Sequence, residues 1–242
     1  MQRELVVREL QKRILAMQGL NKIPQHRHTI DLGPINQAFP NSMFPLGAVH
    51  EFISPGAEES AATSGFITCL LSEIAKRKQF SLWISSRRRI FPPALKLLGV
   101  DPDYIIFIDL SDDKDVLWAT EEALRCGVLS AVIAEVKELN FARSRRLQLA
   151  IEQSEVTAFI HRIQPRSENT TACAARWKIT PLPGVVEAGM PGVGFPKWNV
   201  ELIKVRNGKP GSWQLAKTPH GFQHFSGTST DTGTESETAN YA

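Results

Sequence analysis

An eight-residue stretch at residues 56–63 constrains the fold of this chain more than any other feature. It reads Gly-Ala-Glu-Glu-Ser-Ala-Ala-Thr and follows the apolar run Ala48–Ile53, which is typical of a buried strand. The residues after it have the spacing of three and four that is typical of a helix, with apolar side chains at Phe66, Ile67, Leu70, Leu71 and Ile74. A strand, a glycine-led turn and a helix in this order predict the position of a phosphate-binding loop, whose pattern is G-x-x-x-x-G-K-[ST].

Only the two ends of that pattern, Gly56 and Thr63, are present in this chain. Ala62 replaces the lysine that would reach the terminal phosphates, and a hydrogen bond to a charged group is worth about 1.5–3 kcal/mol. Ala61 replaces the second glycine and adds a Cβ where the backbone would approach phosphate closely. Glu59 brings a negative charge to the same place. We interpret the stretch as a phosphate loop that has lost its phosphate; the alternative is a strand-turn-helix that never bound a ligand.

The composition predicts a cytoplasmic protein with one sizeable core. The chain has 242 residues, of which 42% are hydrophobic, and no apolar run approaches the ~20 residues that a membrane span requires. Its N-terminus lacks the apolar centre of a signal peptide, so we expect no membrane association. All 28 Lys and Arg residues lie at or before Lys217, whereas three acidic residues follow it. The body is therefore basic and the tail acidic.

The order of apolar runs predicts an α/β fold with a mostly parallel sheet flanked by helices. Strand-like and helix-like segments alternate between residues 48 and 160, as in βαβ units. Further strand-like segments between residues 174 and 217 predict antiparallel strands added near the C-terminus, and residues 181–196 read as a long connection rich in Gly and Pro. We expect an N-terminal helix at residues 1–20 that acts as a docking or oligomerisation arm, a core at residues 21–217, and a disordered acidic tail at residues 218–242.

The segments together resemble the RecA core. The stretch at residues 56–63 falls at the phosphate loop of that superfamily, and Phe44–Gly47 resembles the turn that leads into it. Phe91–Asp101 resembles the helix and turn after the second core strand, and Gly127–Glu135 resembles the Walker B strand, which carries the magnesium-binding carboxylate. The likeness covers about residues 30–180 in order and spacing.

Within that superfamily the chain resembles the ImuA family. The likeness extends over nearly the whole chain except the tail. The residues that carry it are Leu117–Arg125, Ser144–Ala150, Ala174–Trp177, Trp198–Val205 and Gly208–Trp213. ImuA proteins are RecA-like accessory proteins of the bacterial cassette for mutagenic translesion synthesis. The resemblance therefore implies partnership with an ImuB-type polymerase-like protein of the Y family and a DnaE-type polymerase.

Departures from an active RecA-type ATPase all indicate loss of catalysis. Arg87 stands where the water-activating glutamate is expected, and Glu135 replaces the Walker B aspartate. The position that senses the γ-phosphate holds His161 or Arg162. Loss of both the lysine and the water-activating carboxylate leaves little reason to expect turnover. We therefore predict a degenerate nucleotide-binding site with no catalytic residue, cofactor or metal, comprising Gly56, Glu59, Ala61, Ala62, Thr63, Arg87 and Glu135.

Two basic clusters are candidates for contact with DNA or a partner protein. They comprise Arg87, Arg88 and Arg89 in one group and Arg143, Arg145 and Arg146 in the other. They could also be ordinary solvated faces of the fold. The segments that carry DNA-binding loops in RecA-like proteins, residues 136–142 and 164–172, are short here and hold few aromatic residues for stacking on bases.

The sequence thus predicts a non-catalytic adaptor in error-prone translesion DNA synthesis and the SOS response. Its expected partners are the ImuB-type protein and the DnaE-type polymerase, with RecA, single-stranded DNA and further copies of the chain as additional candidates, and its expected location is the nucleoid. Two alternatives remain open. One is a weak DNA-dependent ATPase or nucleotide switch that uses Gly56, Thr63 and Glu135, and the other is a module that binds single-stranded DNA.

Overall fold

The structure, a computed structural model, describes residues 29–74, 79–185, 192 and 194–225. The N-terminal helix predicted for residues 1–20 lies outside these ranges. Within them, the chain forms one nine-stranded sheet with helices on both faces. No helix in the described ranges combines the length and the hydrophobicity that a membrane span requires.

The described residues form four α-helices and nine strands. The helices are α1 (Ala57–Ile74), α2 (Pro92–Leu95), α3 (Asp113–Leu124) and α4 (Phe141–Ser154). The strands are β1 (Val49–Ser54), β2 (Ser81–Ser85), β3 (Ile105–Asp109), β4 (Ala131–Val136), β5 (Thr157–Ile163), β6 (Ala175–Val185), β7 (Phe195–Val205), β8 (Gly211–Thr218) and β9 (Gly221–Phe225). Short 3-10 helices lie at Gly33–Ala38, Pro40–Ser42, Lys96–Leu98 and Pro102–Tyr104.

The strand order is β3-β2-β4-β5-β1-β6-β7-β8-β9. Neighbouring strands are parallel from β3 to β6 and antiparallel from β6 to β9. The predicted fold class, a mostly parallel α/β sheet with antiparallel strands near the C-terminus, is therefore confirmed.

The core has two layers, one on each face of the sheet. Beneath α1, Phe66 packs against Phe52 and Trp177, with ring centroids 6.4 Å from each. On the other face, α3 and α4 bury Val116, Leu124, Leu147 and Ile151 against β4 and β5. Asp112 caps α3 by accepting hydrogen bonds from two backbone N–H groups, and Asn140 caps α4 in the same way through one. The capping residues explain where these two helices begin.

Strands β6 and β7 extend into the segment predicted as a connection at residues 181–196. Pro181 pairs with Trp198, and Val185 pairs with Phe195 across a register shift. Beyond Lys178, β6 no longer pairs with β1, so that side of the strand is an edge. Proline is tolerated at strand edges and bulges because no ladder hydrogen bond is lost there. The prolines therefore did not end the strand as the sequence suggested.

Strand β9 shows that disorder predicted from Thr218 onwards is wrong for residues 218–225. Phe222 packs 6.2 Å from the Phe66 ring, and the ammonium of Lys217 lies 4.8 Å from the centroid of Phe222. Lys197 covers the ring of Phe225 at 4.2 Å. Two aromatic side chains in an otherwise polar segment bury enough apolar surface to add a strand. Residues 226–242 lie outside the described residues.

Candidate functional site

The place of the phosphate loop is occupied by a helix. Strand β1 ends at Ser54 and α1 begins at Ala57, and the backbone N–H of Ser60 donates to the carbonyl of Gly56 at 3.1 Å. Residues 57–60 are thus the first turn of α1, and the backbone bend that would surround a phosphate is absent from this part of the described chain. Alanine and glutamate favour this outcome because both are good helix formers and acidic groups are stabilising in a first turn.

The carboxylate of Glu59 lies beside Gly56 at the start of α1. A Cβ at Gly56 would come within 2.5 Å of Glu59 Oε2, so any larger residue there requires the carboxylate to move. A negative group at this point interacts favourably with the positive end of the helix dipole. The N-terminus of α1 therefore already has an internal anion where a phosphate would bind.

Thr63, the residue that would contact magnesium in an intact loop, lies in a buried hydrogen-bond network. Ser54 Oγ lies 2.9 Å from both Thr63 Oγ1 and His161 Nε2, and the three side chains are fully buried. Burial, together with a smaller effect of the charge of Arg89, lowers the pKa of His161 to about 3, so the imidazole is neutral at physiological pH. Of the two residues predicted for the γ-phosphate position, His161 is the one that contacts this network.

Glu135 lies next to this network on the neighbouring strand. It pairs with His161 in the register of β4 and β5 and accepts a hydrogen bond from Trp83 Nε1 at 2.9 Å. Burial raises the pKa of its carboxyl, while the Trp83 hydrogen bond and the charge of Arg89 act in the opposite direction. The carboxylate at the Walker B position is thus held by an indole.

The other residues predicted for the nucleotide site, and the neighbouring arginines, lie in different surroundings. Ala61 is exposed and Ala62 is buried in the core beneath α1. Arg88 forms an ion pair with Asp109 at 2.7 Å, and its guanidinium lies 5.2 Å from the Phe107 ring centroid. Arg87 is exposed, and Arg89 is the member of its triplet whose charge reaches Glu135 and His161.

The three arginines of α4 have different neighbours. Arg146 forms an ion pair with Glu121 of α3 at 2.8 Å. Two backbone hydrogen bonds to the Asp112 carboxylate lower the pKa of that group. The charges of Lys114 and Arg143 lower it too, with smaller effects. Arg145 lines an open pocket together with Lys204 and Arg206. The three arginines of this predicted cluster therefore differ in their surroundings.

Sequence reasoning missed a buried ion network on the α4 face of the sheet. Glu51 Oε1 lies 2.8 Å from Arg162 Nη1, and Glu51 Oε2 lies 2.9 Å from Arg176 Nε. The hydroxyl of Thr171 also donates to Glu51 Oε2, at 2.6 Å. The sequence feature that could have revealed this network is one charged residue inside each of three strands, namely Glu51 in β1, Arg162 in β5 and Arg176 in β6.

This network fixes the two segments that were compared with DNA-binding loops. Arg162 Nη2 donates to the carbonyl of Ser167 at 2.7 Å, and the backbone N–H of Arg166 donates to Glu138 at the same distance. Asn169 Nδ2 donates to the carbonyl of Leu139 at 2.9 Å. The segments after β4 and after β5 are thus hydrogen-bonded to each other.

The described residues define an open α/β protein with a buried polar cluster where α1 follows β1. Comparison with protein-family models finds no match. Comparison with curated proteins finds "Protein ImuA" of Caulobacter vibrioides, from strains NA1000 / CB15N and CB 15, each 32% identical over 205 residues. The alignment covers 79% of this chain and 84% of the relative. The chain belongs to the ImuA family, as the sequence resemblance predicted.

Proposed function

We propose that this chain is a non-catalytic adaptor in error-prone translesion DNA synthesis and SOS mutagenesis. In this role it recruits or organises an ImuB-type protein and a DnaE-type error-prone polymerase. Membership of the ImuA family supports the pathway. The fold serves as a scaffold for protein contacts, and nucleotide turnover is not part of its action.

One observation carries the non-catalytic half of the proposal. Helix α1 begins directly after Gly56, and Ser60 N–H is engaged by the Gly56 carbonyl. In a phosphate loop the backbone N–H groups bend around the phosphates, and a lysine reaches the terminal group. Here those N–H groups enter a helix, and Ala62 supplies no cation.

The buried side chains support the same conclusion against the ATPase alternative. An ATPase would need Thr63 to face a metal ion and Glu135 to orient a water ligand. Thr63 instead lies at hydrogen-bond distance from Ser54, and Glu135 accepts from Trp83. Freeing either group requires breaking a buried hydrogen bond, which leaves an unsatisfied polar atom at a cost of about 1–3 kcal/mol.

Glu135→Gln separates the adaptor from the ATPase. A glutamine side chain has nearly the same shape as glutamate and still accepts the Trp83 hydrogen bond, but it cannot bind magnesium as a carboxylate does. In a strain that lacks the native gene, we expect the variant to restore damage-induced mutagenesis as fully as the wild-type gene. We also expect the purified variant to capture the ImuB-type protein equally well with and without ATP.

A loss of mutagenesis to the level of the gene deletion, with normal expression and folding of the variant, would overturn the proposal. The same holds if wild-type capture of the ImuB-type protein requires ATP. Unchanged expression is checked by immunoblot, and folding by circular dichroism of the purified protein.

A further inference from the structure

A basic pocket lies on the face of the sheet that α4 covers, away from the α1 site. Its volume is about 420 Å³, and it is open to solvent. It lies between the first half of α4, the segment at residues 170–173 and the C-terminal end of β7. Three of its lining residues are cationic, namely Arg145, Lys204 and Arg206.

The positions of two of these cations are fixed by the backbone. Arg206 Nη2 donates to the carbonyl of Ala172 at 2.6 Å, and Lys204 Nζ donates to the carbonyl of Thr171 at 3.4 Å. Arg145 reaches the pocket from α4. The three donors therefore converge from two sides on one concave space.

These three cations form no ion pair in the part of the chain that the structure describes. Burial lowers the pKa of Arg206, and the charge of Arg145 lowers it further, while Glu152 acts weakly in the opposite direction. Like charges held together in a partly buried space disfavour one another, and a bound anion would relieve that repulsion.

We propose that this pocket binds a phosphate group, carried either by a nucleotide or by a single strand of nucleic acid. A phosphate carries up to two negative charges and three strong acceptor oxygens, which suits three cationic donors better than the single charge of a carboxylate. The volume suits a ligand of roughly nucleotide size, since ligand pockets commonly span about 300–1,000 Å³.

Two further features of the wall fit a nucleotide unit. Phe141, the first residue of α4, lines the pocket with 56% of its surface exposed, and an exposed aromatic ring is a stacking surface for a base. The same residue places the positive end of the α4 dipole at the wall. The site is distinct from residues 56–63, which lie on the α1 face, and it does not rest on the proposed adaptor role.

The test is a titration of the full chain followed by nuclear magnetic resonance. The signals to follow are the Nε–H groups of Arg145 and Arg206 and the backbone amides of residues 170–173. Three probes are added in turn at constant ionic strength, namely inorganic phosphate, thymidine monophosphate and a short oligothymidylate. We expect saturable shifts confined to the pocket. Stronger binding of the monophosphate than of the oligonucleotide identifies a nucleotide as the source, and the reverse order identifies a strand.

Variants assign the binding to this pocket. Lys204→Ala and Arg145→Ala should each weaken phosphate binding by about tenfold or more, as expected for the loss of a hydrogen bond to a charged group. Lys114→Ala removes the same charge from the exposed surface of α3 and should leave the affinity unchanged. Arg145 is itself exposed, so its loss leaves the fold intact even if Lys204→Ala disturbs the Thr171 contact.

Two outcomes overturn the proposal. One is the absence of saturable shifts with all three probes. The other is an equal loss of binding in Lys114→Ala and in the pocket variants, because a general effect of net charge would then explain the result. If an acidic peptide binds in the pocket and none of the three phosphate probes does, the proposal is also overturned.

Discussion

Glu51 is a charged residue in an environment that charged residues rarely occupy. It is completely buried, and its two carboxylate oxygens accept from two arginines and one hydroxyl. Burying a charge is costly unless it is paired and hydrogen-bonded, and here both conditions are met. The consequence is that three strands and the segment at residues 164–174 depend on one carboxylate.

Glu51→Gln should therefore destabilise the fold strongly. Removing one partner of a buried ion pair leaves an uncompensated charge and costs about 3–5 kcal/mol, a large part of the roughly 5–15 kcal/mol that stabilises a typical domain. The measurement is the free energy of unfolding from urea titration. Asp109→Asn, which removes a half-exposed ion pair with Arg88, is the control and should cost at most about 1 kcal/mol. Equal effects of the two substitutions would contradict the account.

The buried imidazole of His161 should make the stability of the fold depend on pH. Its pKa is about 3 in the folded chain against an ordinary value of 6.5. Between these values the unfolded chain binds the proton and the folded chain does not, so the free energy of unfolding falls as pH decreases below about 6.5. His50, with a pKa of about 4 through burial, adds to the same slope.

His161→Gln removes one of these two contributions. We expect the variant to lose less stability than the wild type when the pH is lowered from about 6.5 to about 5, because one fewer neutral imidazole must be kept from protonation. The measurement stays in the upper part of the pH range because Glu135 titrates at lower pH. Its pKa is raised in the folded chain, so its protonation increases the free energy of unfolding and would mask the effect of His161. Parallel stability curves for the two proteins over this range would contradict a buried neutral imidazole.

At the scale of elements, the start of α1 decides the character of the site. The sequence correctly predicts a strand, a turn and a helix, but it does not predict that the helix begins at Ala57. Whether a short run such as Ala-Glu-Glu-Ser bends around a ligand or enters a helix depends on tertiary packing as well as on propensity. Burial of Ser60 and Thr63 against the sheet settles that choice.

Restoring the missing lysine should therefore fail to restore a phosphate site. Ala62 lies in the core with 7% of its surface exposed, so Ala62→Lys brings a long charged side chain into a packed region. Overpacking alone costs about 1–3 kcal/mol, and the buried charge adds to it. We expect a lower midpoint of urea unfolding and no binding of ATP by calorimetry. Ala61→Lys, on the exposed side of the same turn, is the control and should stay within about 0.5 kcal/mol of the wild type. Micromolar ATP binding by Ala62→Lys would contradict the helix at this position.

Strand β9 and the extension of β6 are elements that the sequence did not predict. Gly, Pro and polar residues dominate both segments, so local composition indicates loop or disorder. Both become strands because a neighbouring strand offers a free edge and because Phe222 reaches the core layer beneath α1. Such long-range pairing leaves no signal in the composition of the segment itself.

At the scale of the whole molecule, the alternating core was predictable and the site only in part. The parallel strands β3 and β4 are largely apolar runs, and the order of strand-like and helix-like segments along the chain indicates the fold class. The resemblance to the RecA core implied that Thr63 and Glu135 belong to one site. In the sheet, Glu135 is the register neighbour of His161, and both His161 and Thr63 lie at hydrogen-bond distance from Ser54. The Glu51 network and the basic pocket involve residues more than 100 and about 60 positions apart, respectively, and only the folded chain reveals which charges meet.

The central claim is that this scaffold works without a nucleotide at the α1 site. The most direct test is calorimetric titration of the purified chain with ATP and magnesium, with and without single-stranded DNA. The wild type and Arg145→Ala are both titrated, so that any binding in the basic pocket is recognised. The account predicts no binding at the α1 site. Any heat that nucleotide releases in the wild type should therefore come from the basic pocket, weaken about tenfold or more in Arg145→Ala and not require magnesium. Micromolar binding that persists in Arg145→Ala and requires magnesium would contradict it, and the chain would then be a nucleotide-dependent switch.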